Sequence, residues 1–172
     1  MDLNDKMAWC DAGAKAEREF TVGRLHDLGV ASWINPAKRT DPYTHDLFVS
    51  FPADVKTIRT PLFRAGDLWG IDPQYAITFN RKDYDRYKLL YPNIIVLFDV
   101  RWEDPLIKEL GGRLYEVQPM HLTAAASLRQ IEQGVRMGKV IEYKGRVNDT
   151  AGNAKESYVF DVRWFHILEE PR

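Results

Sequence analysis

HDLFVSFPADVK, residues 45–56, decides how this chain is read. Its apolar alternation marks strand, yet it carries two aspartates, Asp46 and Asp54, with Lys56 two residues after the second. If the chain turns at Ser50, Asp46 faces Asp54 across an antiparallel pair, with Cβ atoms about 5 Å apart. Two carboxylates so placed repel, and one must take up a proton unless a cation lies between them. A hard divalent ion answers that need, because Mg²⁺ is held by one or two carboxylates together with waters and phosphate oxygens. Side chains alternate along a strand, so Lys56 shares a face with Asp54 and Val55 turns the other way, towards the core.

Outward from this stretch the pattern is α/β, a mixed central β-sheet flanked by helices. Residues 12–28 read as a helix rich in Ala, Glu, Lys and Arg, with Gly29 as its stop. VASWI (30–34) is a short strand and PAKRTDPYT (36–44) a polar loop. PLFRAGDLWGIDPQ (61–74) reads as an irregular connection, YAITFN (75–80) as a strand and RKDYDRYKLLYP (81–92) as a helix closed by Pro92. NIIVLFDVRW (93–102) is the clearest buried strand. Beyond it, LIKELGG (106–112) suggests a helical turn with a glycine stop and RLYEVQPM (113–120) a strand. LTAAASLRQIEQGVRMG (122–138) suggests a helix capped by Thr123, and 139–147 and 157–168 two strands of a long hairpin. FDVRW occurs at 98–102 and again at 160–164, but the flanks differ, so it is not read as a repeat.

The order of these parts resembles the PD-(D/E)xK, or restriction-endonuclease-like, nuclease superfamily. In that pattern a Glu on a first helix precedes an Asp on one strand and an acidic-x-Lys triplet on the next, followed by a helix and a buried strand. The matching residues are Glu17, Asp46 and the triplet Asp54-Val55-Lys56, with 81–92 as the helix and 93–102 as the strand. The resemblance covers residues 12–102 and leaves 103–172 as a C-terminal extension with a helix and a β-hairpin. It implies a metal-dependent nuclease that hydrolyses phosphodiester bonds with Mg²⁺ or Mn²⁺, on DNA in preference to RNA. Asp46 and Asp54 would be the main metal ligands, with the Val55 carbonyl and Glu17 beside them, and Lys56 would orient water or stabilise phosphoryl charge. Asn80 could reach the same edge.

Basic residues gather around the same stretch: Lys38 and Arg39 before it, Arg59 and Arg64 after it, Lys82 and Arg86 on the following helix. These are the candidate nucleic-acid contacts, with Tyr84, Tyr87 and Tyr91 interleaved where bases could stack. Elsewhere the chain excludes more than it suggests. A length of 172 residues with 45% hydrophobic and 28% charged residues reads as one soluble domain, 1–172. A net charge of −1 excludes a global basic field, so any nucleic acid must be held by a local patch or through metal. The single cysteine, Cys10, excludes an internal disulfide and a Cys-rich zinc site and suits a reducing cytoplasm. No leader or membrane span is read. The four histidines lack zinc spacing, and no glycine-rich phosphate loop is found. The alternatives are a non-catalytic nuclease-like module that binds a protein or nucleic acid, and a small protein that forms a homodimer by strand pairing through its terminal hairpin.

Overall fold

A computed structural model describes residues 6–27, 30–41, 43–144 and 156–169. The protein is mixed α/β, with four α-helices and several sheets among the described residues. It divides into two compact units, Met1–Phe51 and Pro52–Arg172. No helix among the described residues is long and apolar enough to cross a membrane.

The N-terminal unit opens with α1 (Lys6–Glu19), which runs into a π-helical turn, Phe20–Leu25. There Thr21 bonds back to the Glu17 carbonyl at 2.7 Å, an alternative to the regular helical ladder. β1 (Ala31–Ile34) and β2 (Leu47–Ser50) form an antiparallel pair, and a 3₁₀ turn, Pro36–Arg39, follows β1. Buried Asn35 holds the connecting loop. Its side chain accepts from Ala37 N and donates to the His45 carbonyl and the Thr44 hydroxyl, and its backbone N–H donates to the Asp46 carbonyl.

Among its described residues the C-terminal unit has two multi-stranded sheets and a separate two-stranded hairpin. The larger, in the order β11-β8-β5-β3, is mixed: β3 (Ala53–Ile58) runs parallel to β5 (Ile95–Trp102), whereas β8 (Met120–Ser127) and β11 (His166–Glu169) add antiparallel. The smaller has β10 (Ser157–Asp161) between β4 (Ala76–Asn80) and β9 (Val140–Tyr143). Three further helices, α2 (Ala65–Trp69), α3 (Arg81–Leu90) and α4 (Leu128–Arg136), and a hairpin of β6 (Leu106–Leu110) with β7 (Arg113–Val117), complete it. Alternate residues of β5 (Val96, Phe98, Val100 and Trp102) turn inward, as do Leu122, Ala124 and Ala126 of β8. Phe98 meets Phe79 and Phe160 edge-on at 5.9 and 5.3 Å, which joins the two sheets through aromatic contacts. Buried Trp102 donates its indole N–H to the Gln74 carbonyl at 3.0 Å.

Several expectations are corrected. The stretch 45–56 is not a hairpin: β2 pairs with β1, and β3 with β5. Only Phe51 and Pro52 separate the two strands. A two-residue hairpin turn would need positive φ at Phe51 and, in type I′, at Pro52 as well; the fixed φ of proline forbids the second, and among the described residues only glycines take positive φ. Each strand takes its ladder partners within its own unit, so the hairpin register expected to set Asp46 opposite Asp54 is not the one observed. Where glycine supplies that geometry a hairpin does form. Gly111 and Gly112, at φ 61° and 76°, join β6 to β7, so LIKELGG is a strand and a turn rather than a helical turn. Residues 120–127 are strand, and helix begins only after Ser127, whose side chain makes a reciprocal cap with Gln130. The helix propensity of its alanines yields to pairing with β5. The expected C-terminal extension supplies β8 and β11 to one sheet and β9 and β10 to the other, and the segment linking β9 to β10, 145–155, lies outside the described residues, as does Gly29.

Candidate functional site

Strand β3 places Asp54 and Lys56 on one face, as its alternation requires. Their register partners on β5 are Val96 and Phe98, both buried, so that face is the inner one. Val55 takes the outer face and is 60% exposed, which corrects its expected place in the core. An inward-facing lysine must find partners, and α3 provides them. Asn80 caps this helix by accepting from Lys82 N at 2.9 Å, which fixes its start. Asp83 and Tyr87, one helical turn apart, then share a face. Lys56 Nζ lies 2.7 Å from Asp83 Oδ2, 3.1 Å from Asp54 Oδ2 and 5.4 Å from the Tyr87 ring centre.

The electrostatics follow. Burial alone would lower the Lys56 pKa, but bonding to Asp83, Tyr87 and Asp54 outweighs it and holds the ammonium well above its ordinary range. Arg86 extends the chain of charges, donating to Asp83 Oδ1 at 2.9 Å and to the Tyr87 hydroxyl at 3.2 Å. Asp54 Oδ2 is fully buried and, although in ion-pair reach of Lys56, makes no aligned hydrogen bond. A buried carboxylate oxygen without one is costly and marks a place for a further donor or a cation.

Lys56, Asn80 and Asp83 also line a groove of about 1060 Å³ within the C-terminal unit. Arg59 and Arg64 line it too, as the sequence suggests, joined by Lys108 of β6, Trp69 of α2 and Tyr143 of β9. Arg59 pairs with Glu103 at 3.2 Å, whereas Arg64 and Lys108 have no carboxylate partner among the described residues.

The other sequence-picked residues sit in the N-terminal unit around a second lysine. Lys38, in the 3₁₀ turn, donates to both oxygens of Glu17 at 2.9 and 3.0 Å and to Asp46 just before β2. These bonds, Asp46 first and then Glu17, raise the Lys38 pKa. Lys38, expected at phosphates, is thus held by carboxylates, while Arg39 on the same turn is exposed. Lys82 and Arg86 are exposed on α3. Tyr84 and Tyr87 are core residues, each 4% exposed, so only Tyr91 of the three tyrosines is open for stacking.

Asp83 is the partner that sequence reading missed. Its signal lay in NRKDY, where a cap at Asn80 puts Asp83 in the first helical turn. Lys108 was missed because its segment reads as helix rather than as an edge of the groove. Among the described residues, no three His, Cys, Asp or Glu side chains are gathered to hold a metal. Compared with known proteins, the chain is matched by no family model, by no curated protein and by no solved structure.

Proposed function

We propose that the protein is a metal-dependent phosphodiesterase with a restriction-endonuclease-like core, acting on nucleic acid, DNA in preference to RNA. One observation carries the reading. β3 and β5 are parallel with α3 between them, and the Asp54-x-Lys56 triplet of β3 turns both charged side chains to the face that α3 covers. This is the order in which the PD-(D/E)xK pattern sets its acidic-x-Lys strand, helix and buried strand.

The chemistry is derived from these side chains. Lys56 is held as the ammonium well above its ordinary range, which makes it a poor acceptor of a proton from water. Its role is that of a fixed positive donor towards developing phosphoryl charge. Asp83 holds that ammonium in place and is a positioning residue. Asp54, with one buried oxygen lacking a hydrogen bond, suits a hard cation. Asp46 and Glu17 are assigned ligand roles from the family pattern alone, as is the Val55 carbonyl. A bound Mg²⁺ or Mn²⁺ would lower the pKa of a coordinated water and polarise the phosphate.

The test is cleavage of labelled linear, branched and single-stranded DNA and of RNA, with Mg²⁺ or Mn²⁺, by the wild type and by Asp54→Asn. Metal-dependent cleavage that the folded variant loses is the expected result. Full activity in Asp54→Asn, or none in a folded wild type, overturns the reading. A second reading, a non-catalytic module, is favoured by the salt bridges that occupy every proposed carboxylate: Asp54 with Lys56, and Glu17 and Asp46 with Lys38. Binding of the same substrates without cleavage would select it.

A further inference from the structure

The groove beside Lys56 differs from a plain basic patch. Its cationic lining consists of Lys56, Arg59, Arg64 and Lys108, against the single carboxylate of Asp83. Lys56 is already engaged by Asp54 and Asp83, and Arg59 by a largely exposed glutamate. Arg64 and Lys108 are left as the groove's unneutralised charges among the described residues. They come from different elements, the loop before α2 and strand β6.

The same lining includes aromatic side chains. Trp69, at the end of α2, meets Tyr143 of β9 edge-on, ring centres 5.8 Å apart, and both are only half-buried. Gly70, in the left-handed conformation at φ 67°, stops the helix there and so sets the position of Trp69. Phe63 lies under Lys108, with the ammonium 5.6 Å from its ring centre.

Phosphates would be drawn by the two uncommitted cations, and planar rings by Trp69 and Tyr143. A duplex offers its backbone to such a groove but keeps its bases stacked on each other. An unpaired strand offers both, and positively charged grooves with aromatic platforms are how single strands are held without sequence reading. The volume, about 1060 Å³, lies just above the range of concavities that enclose a drug-sized ligand, about 300–1,000 Å³, so more than one nucleotide has room.

We infer that this groove binds an unpaired nucleic-acid strand, with Trp69 and Tyr143 stacking on its bases and Arg64 and Lys108 at its phosphates. The inference deepens the phosphodiesterase reading and rests on it for the chemistry at Lys56. It makes the substrate a single-stranded, flapped or frayed end rather than intact duplex. Binding can be measured apart from cleavage, in EDTA.

Fluorescence anisotropy of the full chain with labelled twelve-residue oligothymidylate, oligouridylate and a blunt duplex of equal length tests it. At least one single strand is expected to bind about tenfold or more tighter than the duplex, and the tighter of the two names the natural strand. Trp69→Ala should weaken that binding by about tenfold or more, the range of a lost base-stacking contact, and leave the salt dependence unchanged. Lys108→Ala, on the exposed hairpin, should instead lower the slope of log affinity against log salt by about one. Tyr143→Leu repeats the stacking test should Trp69→Ala fail to fold. Duplex binding as tight as the single strands, or folded stacking variants with wild-type affinity, would overturn the inference. Single-strand binding with no cleavage in Mg²⁺ would reject the phosphodiesterase alone, and cleavage without single-strand preference would reject the groove alone.

Discussion

Two lysines in this chain are each gripped by two carboxylates, and the grips are of different kinds. Lys38 sits on a single 3₁₀ turn in a loop, bonded to Glu17 and Asp46. Lys56 sits on a strand whose inner face is core, bonded to Asp83, paired with Asp54 and lying over a buried tyrosine ring. The charges are alike but the supports are not. A strand laddered to β5 and a capped helix hold Lys56 from elements that are themselves packed, whereas Lys38 depends on the loop that Asn35 pins. Preorganised charge belongs on rigid elements, which is why the proposed reading puts its fixed donor at Lys56 and not at Lys38.

The largest expected effect tests that placement. Lys56→Ala should lower the turnover of metal-dependent cleavage by about 10²–10³, the size of losing one fixed electrostatic donor. Lys38→Ala should lower it by less than about tenfold, since its ion pairs, about as buried as those of Lys56, are carried by a loop turn rather than by packed elements. Equal losses, read from single-turnover rates, would erase the distinction between the two grips.

Next in size is a break in the support. Gly134 of α4 has no room for a side chain: a Cβ there would lie 2.5 Å from Val140 Cγ2 and 2.8 Å from the Trp164 ring. Gly134→Ala should destabilise the C-terminal unit by about 1–3 kcal/mol, the usual cost of overpacking. In thermal melts followed by tryptophan fluorescence, the transition should move down. An unmoved melt would mean that α4 is free to shift away from β9 and Trp164.

Trp164 also shows how much of this was legible in the sequence. FDVRW is written twice and folds twice differently. At 98–102 it is all strand, paired with β8 through its whole length and with β3 as far as Val100. At 160–164 the ladder ends at Asp161, whose carboxylate caps a 3₁₀ turn by accepting from Arg163 N, and the chain turns towards β11. Five identical residues could not reveal this, because the difference lies in what runs alongside them. The same holds for residues 120–127, where alanines that favour helix are held as strand by β5. Strands β3, β4 and β5, helix α3 and the pairing of β9 with β10 were legible because periodicity and caps are local. Asp54 and Lys56 were legible as a pair for the same reason. Asp83 was not, since its meeting with Lys56 spans 27 residues of chain and depends on the parallel β3–β5 register.

A smaller effect comes from Asp83. Asp83→Asn keeps the shape but removes the charge that does most to hold Lys56 protonated. A few-fold fall in turnover with little change in KM is expected of a positioning residue. Stability supplies a readout independent of cleavage. A lysine whose folded pKa is raised contributes stability that is fully present below its unfolded value, near 10.5, and lost as pH rises through the folded one. The melting temperature of the wild type should therefore exceed that of Asp83→Asn by a constant margin from pH 7 to 9, and the margin should shrink above pH 10.5. A margin that widens in alkali would mean that Asp83 does not carry the Lys56 proton.

The smallest effect sharpens the comparison most, because its sign differs between the two roles open to Lys38. Lys38→Met removes the counter-ion of Glu17 and Asp46 and leaves two carboxylates exposed to solvent and to each other's charge. If those carboxylates serve as metal ligands, the lysine competes with the metal for them. Its removal should then lower the Mg²⁺ concentration needed for half-maximal cleavage. If Lys38 instead contacts substrate phosphate, the metal requirement stays put, the KM for nucleic acid rises and the salt slope of binding falls by about one. A Mg²⁺ titration and a salt titration on the same variant separate these outcomes. A drop in metal requirement would make the N-terminal grip a gate on cation binding, set against the fixed donor that the C-terminal grip holds.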